Sequence, residues 1–221
     1  MTASAHPAAT EGTGKSYTGW DCCKPACAWQ GNLAKGVSGQ PHVCDINNKP
    51  LATREGLSAK SGCEKNGTAF LCDTYAPTVV SDTEAYGFVV GFANADCCKC
   101  FELTWPTARS ARGKTMTVQV INVGDTSTSV TTKDFVIQTP GGGVGPNDAG
   151  CRFQYGTTWL VLGNQWGGVT NLGECAALPQ NLQKGCDWRW NWAGGDVNGW
   201  NINYKQVNCP RKITSISGCS A

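Results

Sequence analysis

The chain has 221 residues, of which 40% are hydrophobic, so it can bury a substantial core, and one domain is the expected organisation for a β-rich chain of this length. Charged residues make up only 15% of the chain and the formal net charge is +2, which leaves no large electric field to attract a polyanion; no nucleic-acid partner is expected. No apolar run approaches the roughly 20 residues that a helix needs to cross a bilayer, so no membrane association is expected either.

The N-terminal segment comes first in chain order and begins "MTASAHPAATEGTGK". It lacks the basic stretch and the apolar run that make up a signal peptide. We expect residues 1–15 to form a flexible tail. Residues 16–221 show no internal repeat, low-complexity linker or appended module, and we expect them to form one compact domain.

Strands dominate the predicted secondary structure that follows. A short helix is expected at "ATREGLSAK", and a second at "ECAALPQNLQKGC", whose cysteines would hold its ends together. Other runs mix β-branched, aromatic and alternating residues between glycine-rich breaks, which is typical of strands. In chain order these runs are "AYGFVVGFA", "CFELTW", "KTMTVQVINVG", "DFVIQTP", "WLVLG" and "RKITSIS". Together they predict a β-barrel or a β-sandwich core.

Cysteine is the residue type that most narrows the class of protein. The 14 cysteines extend from Cys22 to Cys219 and suit seven disulfides formed in an oxidising compartment, so we expect a secreted, extracellular protein. Zinc is the competing interpretation, because "CCKPAC" and "CCKC" bring thiols together. A structural zinc site normally uses separated cysteine pairs, often with histidine, and neither His6 nor His42 is near these clusters in the sequence. No metal is therefore expected.

Missing residue types narrow the chemistry further. The histidines fall in the N-terminal tail and an early loop, so a Ser-His-Asp or Cys-His mechanism is hard to build, and no G-x-S-x-G motif is present. The run "PGGGVG" lacks the ending of a phosphate-binding loop, and we interpret it as a tight turn or as backbone close to a ligand. Carboxylates and tryptophans remain, and they suit the cleavage of a glycan, whose rings have apolar faces and polar edges.

The segment "GWDCCKPACAWQG" crowds one carboxylate, Asp21, among cysteines, a lysine and two tryptophans. Four roles for Asp21 are open: it caps a turn, pairs with Lys24, binds a metal, or acts as a base in a cleft with aromatic walls. A nearby Lys24 ammonium would favour the ionised form of the carboxyl by Coulombic attraction.

The nine tryptophans are the second group of candidates. In "DWRWNW", Trp188, Trp190 and Trp192 would share one face of a strand, and packing beneath a loop fits that pattern as well as sugar stacking does. Trp29 and Trp166 each lie beside a glycine-bearing loop. They are better candidates for sugar binding, with burial in the core as the alternative.

Several of these motifs occur together in one known family. "WDCCKPACAW", "KSGC", "YGFVVGF", "CCKCFELTW", "GKTMTVQVINVGD", "PGGGVG", "QWGGV", "GCDWRW" and "QVNCP" follow one another between Tyr17 and Cys219. In this respect the chain resembles the glycoside hydrolase family 45 endoglucanases. The resemblance implies an all-β dominated fold, a six-stranded double-psi β-barrel with long disulfide-bonded loops and a few short helices. It also implies hydrolysis of internal β-1,4 bonds of cellulose-like glucans with inversion, without a cofactor, by what we expect to be a monomer.

The resemblance implies particular catalytic residues in residues 16–221, the expected catalytic domain. Asp21 occupies the position of the family's general base. The register of the family's general acid falls on Val136, two residues after Asp134. Because side chains two apart on a strand share a face, we expect Asp134 to point into the groove as the acid. Asp125 matches an accessory aspartate and is the fallback acid.

Binding residues and disulfides are implied in the same way. The residues expected to contact substrate are Tyr17, Trp20, Lys24, Trp29 and Trp166. The family's disulfide pairing, carried onto this chain, joins Cys22 to Cys151, Cys23 to Cys63, Cys27 to Cys97, Cys44 to Cys72, Cys98 to Cys219, Cys100 to Cys209 and Cys175 to Cys186.

One further departure from the family concerns the tyrosine that precedes the tryptophan–aspartate pair, where this chain has Gly19. Tyr17 is the candidate to replace it, and the lost contact would allow a bulkier or branched glucan to bind. The alternative function is that of an expansin-like protein, which binds glucan and loosens cell walls without hydrolysis; the presence of Asp21 argues against it. A barwin-like defence protein or a disulfide-rich inhibitor is a third, more distant interpretation.

Overall fold

The structure is a computed structural model and describes residues 11–124, 131, 133–156 and 162–221. The β-strand is the commonest single type of regular structure in these residues. The strands are β1 (Glu11–Gly19), β2 (Ser38–Gly39), β3 (Thr78–Val79), β4 (Glu84–Gly91), β5 (Cys100–Thr104), β6 (Thr115–Val123), β7 (Phe135–Gln138), β8 (Trp200–Val207) and β9 (Cys219–Ser220).

Six of these strands close into a barrel in the order β4-β6-β5-β8-β1-β7, and β7 pairs back with β4. The β4–β6 and β1–β7 pairs are parallel, and the other barrel pairs are antiparallel. Strand β3 pairs with the first part of β4, on the edge where β7 pairs with its later part, and β2 pairs with β9 outside the barrel. The predicted fold class, a six-stranded barrel with disulfide-bonded loops and a few short helices, is confirmed.

The α-helices are short and lie in the connections between strands. They are α1 (Thr53–Ser58), α2 (Ala149–Tyr155), α3 (Leu172–Cys175), α4 (Gln180–Asp187) and α5 (Arg211–Ser217). Turns of 3-10 helix occupy Ala26–Ala28, Asp73–Tyr75, Asn94–Asp96 and Arg109–Ala111, and a π-helix occupies Trp188–Ala193. Helices at both predicted places are present. Throughout the described ranges, the helices lack the length and apolar character needed to cross a membrane.

Aromatic side chains fill the barrel interior. The ring of Phe135 in β7 lies with its centroid 5.3 Å from that of Phe101 in β5 and 5.2 Å from that of Tyr204 in β8. Phe92, just after β4, brings its ring centroid to 4.6 Å from that of Phe135. Burial of these rings is favourable in itself, and the tilted and edge-on contacts add to it. Three barrel strands and the residue that follows a fourth therefore meet at one aromatic centre.

The N-terminal boundary predicted from the sequence is wrong for residues 11–15. They form the first half of β1 and pair with Lys205 to Asn201 of β8 in antiparallel register. Gly12 and Gly14 interrupt the pattern expected of a strand, which hid it in the sequence. Residues 1–10 lie outside the described residues.

The segment "RKITSIS" is also wrong as a strand, because it forms helix α5. Pro210 precedes the helix and Gly218, with φ of 80°, ends it. Ile213 and Ser217, four residues apart, are both buried, so the segment packs one helical face. The β-branched residues suggested a strand, but the flanking proline and glycine were helix boundary signals. The predicted strand "WLVLG" overlaps residues 157–161, which lie outside the described residues.

Seven disulfides connect the loops around the barrel, and all the cysteines are paired. The partners are the same as in the pairing that the family resemblance implied. Two of the bonds start from adjacent residues: Cys22 is joined to Cys151 in α2, and Cys23 to Cys63. The short segment between them and β1 is thereby fixed to two distant parts of the chain.

Candidate active site

A cleft of about 930 Å³ opens where β1 ends. Its described walls are the end of β1 with the segment that follows it, part of β7, and the loops 143–147 and 165–167. The parallel β1–β7 pair sets Tyr17 level with Val136 and Gly19 level with Gln138. The fold thus places the segment that contains Asp21 beside β7, although the two are far apart in sequence.

Asp21 lies in this cleft and is half-buried. Its carboxylate accepts a hydrogen bond of 2.9 Å from the backbone N–H of Cys23. Gly150 of α2 packs so closely that a Cβ there would lie 2.6 Å from the Asp21 carbonyl oxygen, which explains why this position is a glycine. Together with the two neighbouring disulfides, these contacts hold the Asp21 backbone in one place.

Burial raises the pKa of Asp21 from 3.8 to about 6. Hydrogen bonds from the Cys23 N–H and from the side chain of Asn147 oppose this shift and keep the pKa from rising further. A carboxyl with this pKa is ionised at neutral pH and is a stronger base than an ordinary aspartate. Asn147 had no signal in the sequence beyond its position shortly after "PGGGVG".

Lys24 does not pair with Asp21, contrary to the expectation that it would favour the ionised carboxyl. Its side chain turns away and donates hydrogen bonds to the carbonyl oxygens of Leu57, at 3.1 Å, and Ala59, at 2.9 Å. The same ammonium lies 3.7 Å from the ring centroid of Trp29. The reason is local: α1 ends beside Lys24, and its terminal carbonyls attract a cation.

The tryptophans divide into two groups. Trp29 and Trp166 line the cleft, the first half-buried and the second 54% exposed, so each offers a ring face to a ligand; Trp20 also borders the cleft but is buried. Trp188 and Trp192 instead belong to the barrel core, where their rings stack at 5.9 Å. The "DWRWNW" segment is a π-helix, so its tryptophans do not share one strand face. Packing is therefore the role the structure gives them.

The "PGGGVG" run forms a tight turn, and part of it lines the cleft. Both interpretations from the sequence, a tight turn and backbone beside a ligand site, are therefore compatible with its position. Gly143 has φ of 98°, and a Cβ there would lie 2.7 Å from the Gln165 carbonyl oxygen. Its own carbonyl accepts a hydrogen bond of 2.7 Å from the N–H of Trp20. The turn thus holds the segment next to Asp21.

Arg189 is a residue that the sequence analysis missed. It is fully buried and donates hydrogen bonds to the carbonyl oxygens of Gly141, Gly167 and Asp196 at 3.0, 3.1 and 3.0 Å. Burial lowers its pKa to about 10, with Asp196 opposing the shift, so it stays charged at neutral pH. Arg189 ties together the two loops that form one side of the cleft. The one sequence feature that could have indicated this role is the position of an arginine within the tryptophan-rich segment "DWRWNW".

Gly19 and Val136, the two departures from the family pattern, are diagonal neighbours across the β1–β7 pair. Both line the cleft, and a Cβ on Gly19 would lie 3.0 Å from Cγ1 of Val136. A larger residue at position 19 would therefore need Val136 to shift. Tyr17, the candidate replacement, lines the same cleft and is half-buried.

The structure does not bring Asp134 into the cleft with Asp21. Asp134 precedes β7 and borders a neighbouring hollow of about 550 Å³, which shares Tyr17 with the cleft. Its carboxylate accepts hydrogen bonds from the N–H of Lys15 at 2.6 Å and from the N–H and hydroxyl of Thr131 at 2.7 and 2.9 Å. Strand alternation failed to predict its direction because residue 134 lies in the turn before the strand.

Asp125 lies outside the described residues, although the preceding residue, Gly124, lines the cleft. Among the described residues that line the cleft, Asp21 is the one carboxylate. Within the described ranges there is also no group of three or more His, Cys, Asp or Glu side chains placed to hold a metal ion. What this arrangement offers chemically is a single base between aromatic walls.

Comparison with known proteins identifies the family. The sequence profile of Glycosyl hydrolase family 45 matches residues 13–220. A putative endoglucanase type K from Fusarium oxysporum is 38% identical over 216 residues, covering 96% of this chain and 54% of that protein. The chain thus spans about half the length of this relative.

Two other relatives match over more of their own length. An endoglucanase from Phaedon cochleariae is 33% identical over 95% of this chain and 84% of that protein. The crystal structure of a cellulase from the Antarctic springtail Cryptopygus antarcticus superimposes with a TM-score of 0.83 at 31% identity, covering 96% of this chain and 98% of that one. Because the family's profile covers residues 13–220 and the sequence and fold match those of its relatives, the chain belongs to glycosyl hydrolase family 45.

Proposed function

We propose that this chain is an endoglucanase that hydrolyses internal β-1,4 bonds of cellulose-like glucans with inversion of configuration at the anomeric carbon. The observation that carries the proposal is the half-buried Asp21, with a raised pKa, in a long cleft flanked by Trp29 and Trp166. Family membership and the names of the related proteins support the same activity. We also infer that the protein is secreted, because all its cysteines are paired in disulfides.

Asp21 is the proposed general base. In an inverting reaction the base removes a proton from a water molecule while that water attacks the anomeric carbon, and an acid protonates the departing glycosidic oxygen on the opposite face. The new C–O bond forms as the old one breaks, and one proton moves to Asp21 while another leaves the acid. Trp29 and Trp166 would stack on the apolar faces of glucose rings along the cleft. Tyr17, Trp20 and Lys24 complete the proposed binding residues.

The general acid has two candidates. Asp134 and Tyr17 line the neighbouring hollow, but three donors, one from Lys15 in β1 and two from Thr131, already occupy the Asp134 oxygens. That arrangement supports a role in positioning the turn before β7. Asp125 follows a residue that lines the cleft, and we propose it as the acid that protonates the leaving oxygen.

The test is the release of reducing ends from carboxymethyl cellulose by Asp21→Asn, Asp134→Asn and Asp125→Asn, each checked for folding. We expect the Asp21 and Asp125 variants to lose at least about a hundredfold in turnover. The exposed Asp82 provides the matched control, because Asp82→Asn changes the same group away from the cleft. Normal activity of Asp21→Asn would overturn the proposal, and normal activity of Asp125→Asn with an inactive Asp134→Asn would return the acid to Asp134.

A non-hydrolytic, expansin-like glucan-binding function is the second candidate. It is favoured by one observation: the wall residue at the register of the family's acid is Val136, which cannot donate a proton. Wild-type protein that binds cellulose but releases no reducing ends would establish this function in place of the first.

Gly19 leads to a proposal about substrate range. Without a side chain at this position, the cleft beside Asp21 is wider, and we propose that substituted glucans are accepted. Activity on xyloglucan and mixed-linkage glucan, measured against carboxymethyl cellulose in wild type and Gly19→Tyr, tests this. The tyrosine variant should lose activity on xyloglucan selectively, whereas an equal loss on all three substrates would argue against the proposal.

A further inference from the structure

Lys24 has an unusual position for a lysine beside a binding cleft. The residue is only 4% exposed, and its ammonium makes no ion pair within the described residues. A buried ammonium needs compensation for the water it has lost. Two backbone carbonyls and one aromatic ring replace the lost water around the Lys24 ammonium. Each of these contacts restricts the position of the ammonium.

The carbonyls fix the ammonium to a rigid part of the fold. Leu57 belongs to α1 and Ala59 follows it, so both acceptors are at the negative end of that helix. The backbone of Lys24 is held as well, because its N–H donates to the hydroxyl of Ser61 at 3.1 Å. Cys23, the preceding residue, is joined to Cys63. Both ends of the lysine side chain are therefore anchored in the 53–63 region.

The ring contact then connects this anchor to the cleft. The ammonium lies over the Trp29 ring, 3.7 Å from its centroid, which is well within the range of a cation–π interaction. Trp29 lines the cleft and is half-buried. One face of its ring is covered by the charge, so a sugar stacks on the other.

We propose that Lys24 is a positioning residue that fixes the Trp29 ring from behind as a preorganised platform for a glucose unit. The inference rests on the proposed function only for the identity of the ligand, a β-1,4-glucan chain. A ring that is already held in its bound orientation loses little conformational freedom when a sugar stacks on it, and affinity rises accordingly. Lys24 does not contact the reacting atoms, so it acts on binding through Trp29.

The experiment is a double-mutant cycle on binding. Cellohexaose is titrated calorimetrically into Asp21→Asn protein, which is used to prevent turnover, with Lys24→Met, Trp29→Ala and the combination of the two. The titrations are run well below pH 8, because burial lowers the pKa of Lys24 to about 8, with Glu64 opposing the shift. We expect Lys24→Met to raise Kd about three- to tenfold in the presence of Trp29 and to have no effect once Trp29 is alanine.

Two additional variants make the result specific. Lys114 also holds its ammonium over a tryptophan, Trp192, which belongs to the core; Lys114 itself is half-buried, and neither residue lines the cleft. Lys114→Met should leave Kd unchanged. Lys24→Arg keeps a cation at the ring and should retain more affinity than Lys24→Met; if the methionine variant does not fold, the uncharged Lys24→Gln replaces it in the cycle.

The inference would be overturned by wild-type affinity in a folded Lys24→Met protein, or by an equal loss of affinity with and without Trp29. Because the readout is binding, it is separate from the proposed function. Failure of the wild type to release reducing ends would refute hydrolysis while leaving this cycle measurable.

Discussion

Burial raises the pKa of the Asp21 carboxyl, and hydrogen bonds from the backbone N–H groups of Cys23 and of Asp21 itself and from the side chain of Asn147 lower it. The resulting pKa of about 6 predicts how the rate of hydrolysis depends on pH. A general base must be ionised, so kcat/KM should be constant near neutral pH and fall about tenfold per pH unit below 6. Asn147→Leu removes a hydrogen bond that lowers the pKa, so the acid limb should move to higher pH. A limb that stays in place in this variant would contradict the role of Asn147.

The same pKa predicts a change in stability. The folded-state pKa of Asp21, about 6, lies above its ordinary value of 3.8, so the stability that the carboxyl contributes is fully present below pH 3.8 and is lost as the pH rises through 6. At pH 7 to 8 the ionised group therefore destabilises the fold. Asp21→Asn should raise the free energy of unfolding there by about 1–2 kcal/mol, after allowance for partial exposure. Denaturant titration at both ends of the range checks this, and a constant difference at all pH values would refute it.

Val136 offers a gain-of-function test at the residue scale. It lies on the cleft wall at the register of the family's acid. In an Asp125→Asn background, Val136→Asp should restore at least about tenfold of the lost turnover, since a correctly placed acid contributes a hundredfold or more. Val136→Asn is the control, because it adds a polar group of similar size that cannot act as the acid. A folded double variant without recovery would show that position 136 does not reach the leaving oxygen.

At the scale of elements, the sequence predicted some parts of the fold and missed others for physical reasons. Strands β4 and β6 were evident because their apolar residues are buried over most of their length. Strand β8 was missed although Ile202 and Tyr204 are buried and alternate with exposed residues, as expected of a strand with one face toward the core. Its asparagines, Asn201 and Asn203, are uncommon in strands and obscured this pattern. An interior strand of "WNINYKQV" shows that pairing on both sides can compensate for low strand propensity.

The candidate site was predictable to a similar extent. Asp21, Trp29 and Trp166 were indicated by their sequence context, and the structure brings them to one cleft. The orientation of Lys24 was not, because it depends on carbonyl acceptors 33 and 35 residues away. That of Asp134 was not either, because one of its donors is the Lys15 N–H, 119 residues away. Local alternation and local charge carry no information about such partners.

Arg189 connects two loops, and its removal should affect both stability and binding. Arg189→Met leaves the carbonyls of Gly141, Gly167 and Asp196 without this donor in a buried place. We expect a loss of about 3 kcal/mol in the free energy of unfolding and a higher KM. Arg152→Met is the matched control, because Arg152 is exposed and pairs with the exposed Asp148, so about 1 kcal/mol or less should be lost. Equal losses in the two variants would contradict the assignment.

At the scale of the whole molecule, the barrel includes residues that the sequence assigned to a tail. Glu11 to Lys15 pair with β8, and the Lys15 N–H holds Asp134 before β7. A protein that starts at Ser16 should therefore unfold about 10 °C lower than one that starts at Glu11, since several backbone hydrogen bonds are lost. Calorimetry of the two truncated proteins measures this difference in unfolding temperature. Equal unfolding temperatures would instead support a tail that extends to residue 15.

The pairing of β1 with β7 also affects how the protein folds. Lys15 and Asp134, which meet beside this pair, are 119 residues apart in sequence. Contacts of such separation form late, because closing a long loop has a large entropic cost before any contact compensates for it. The cleft next to Asp21 has one wall from each strand, so it does not exist in an intermediate in which the barrel is still open. The recovery of hydrolysis during refolding, unlike the recovery of local secondary structure, therefore measures the rate at which the barrel closes.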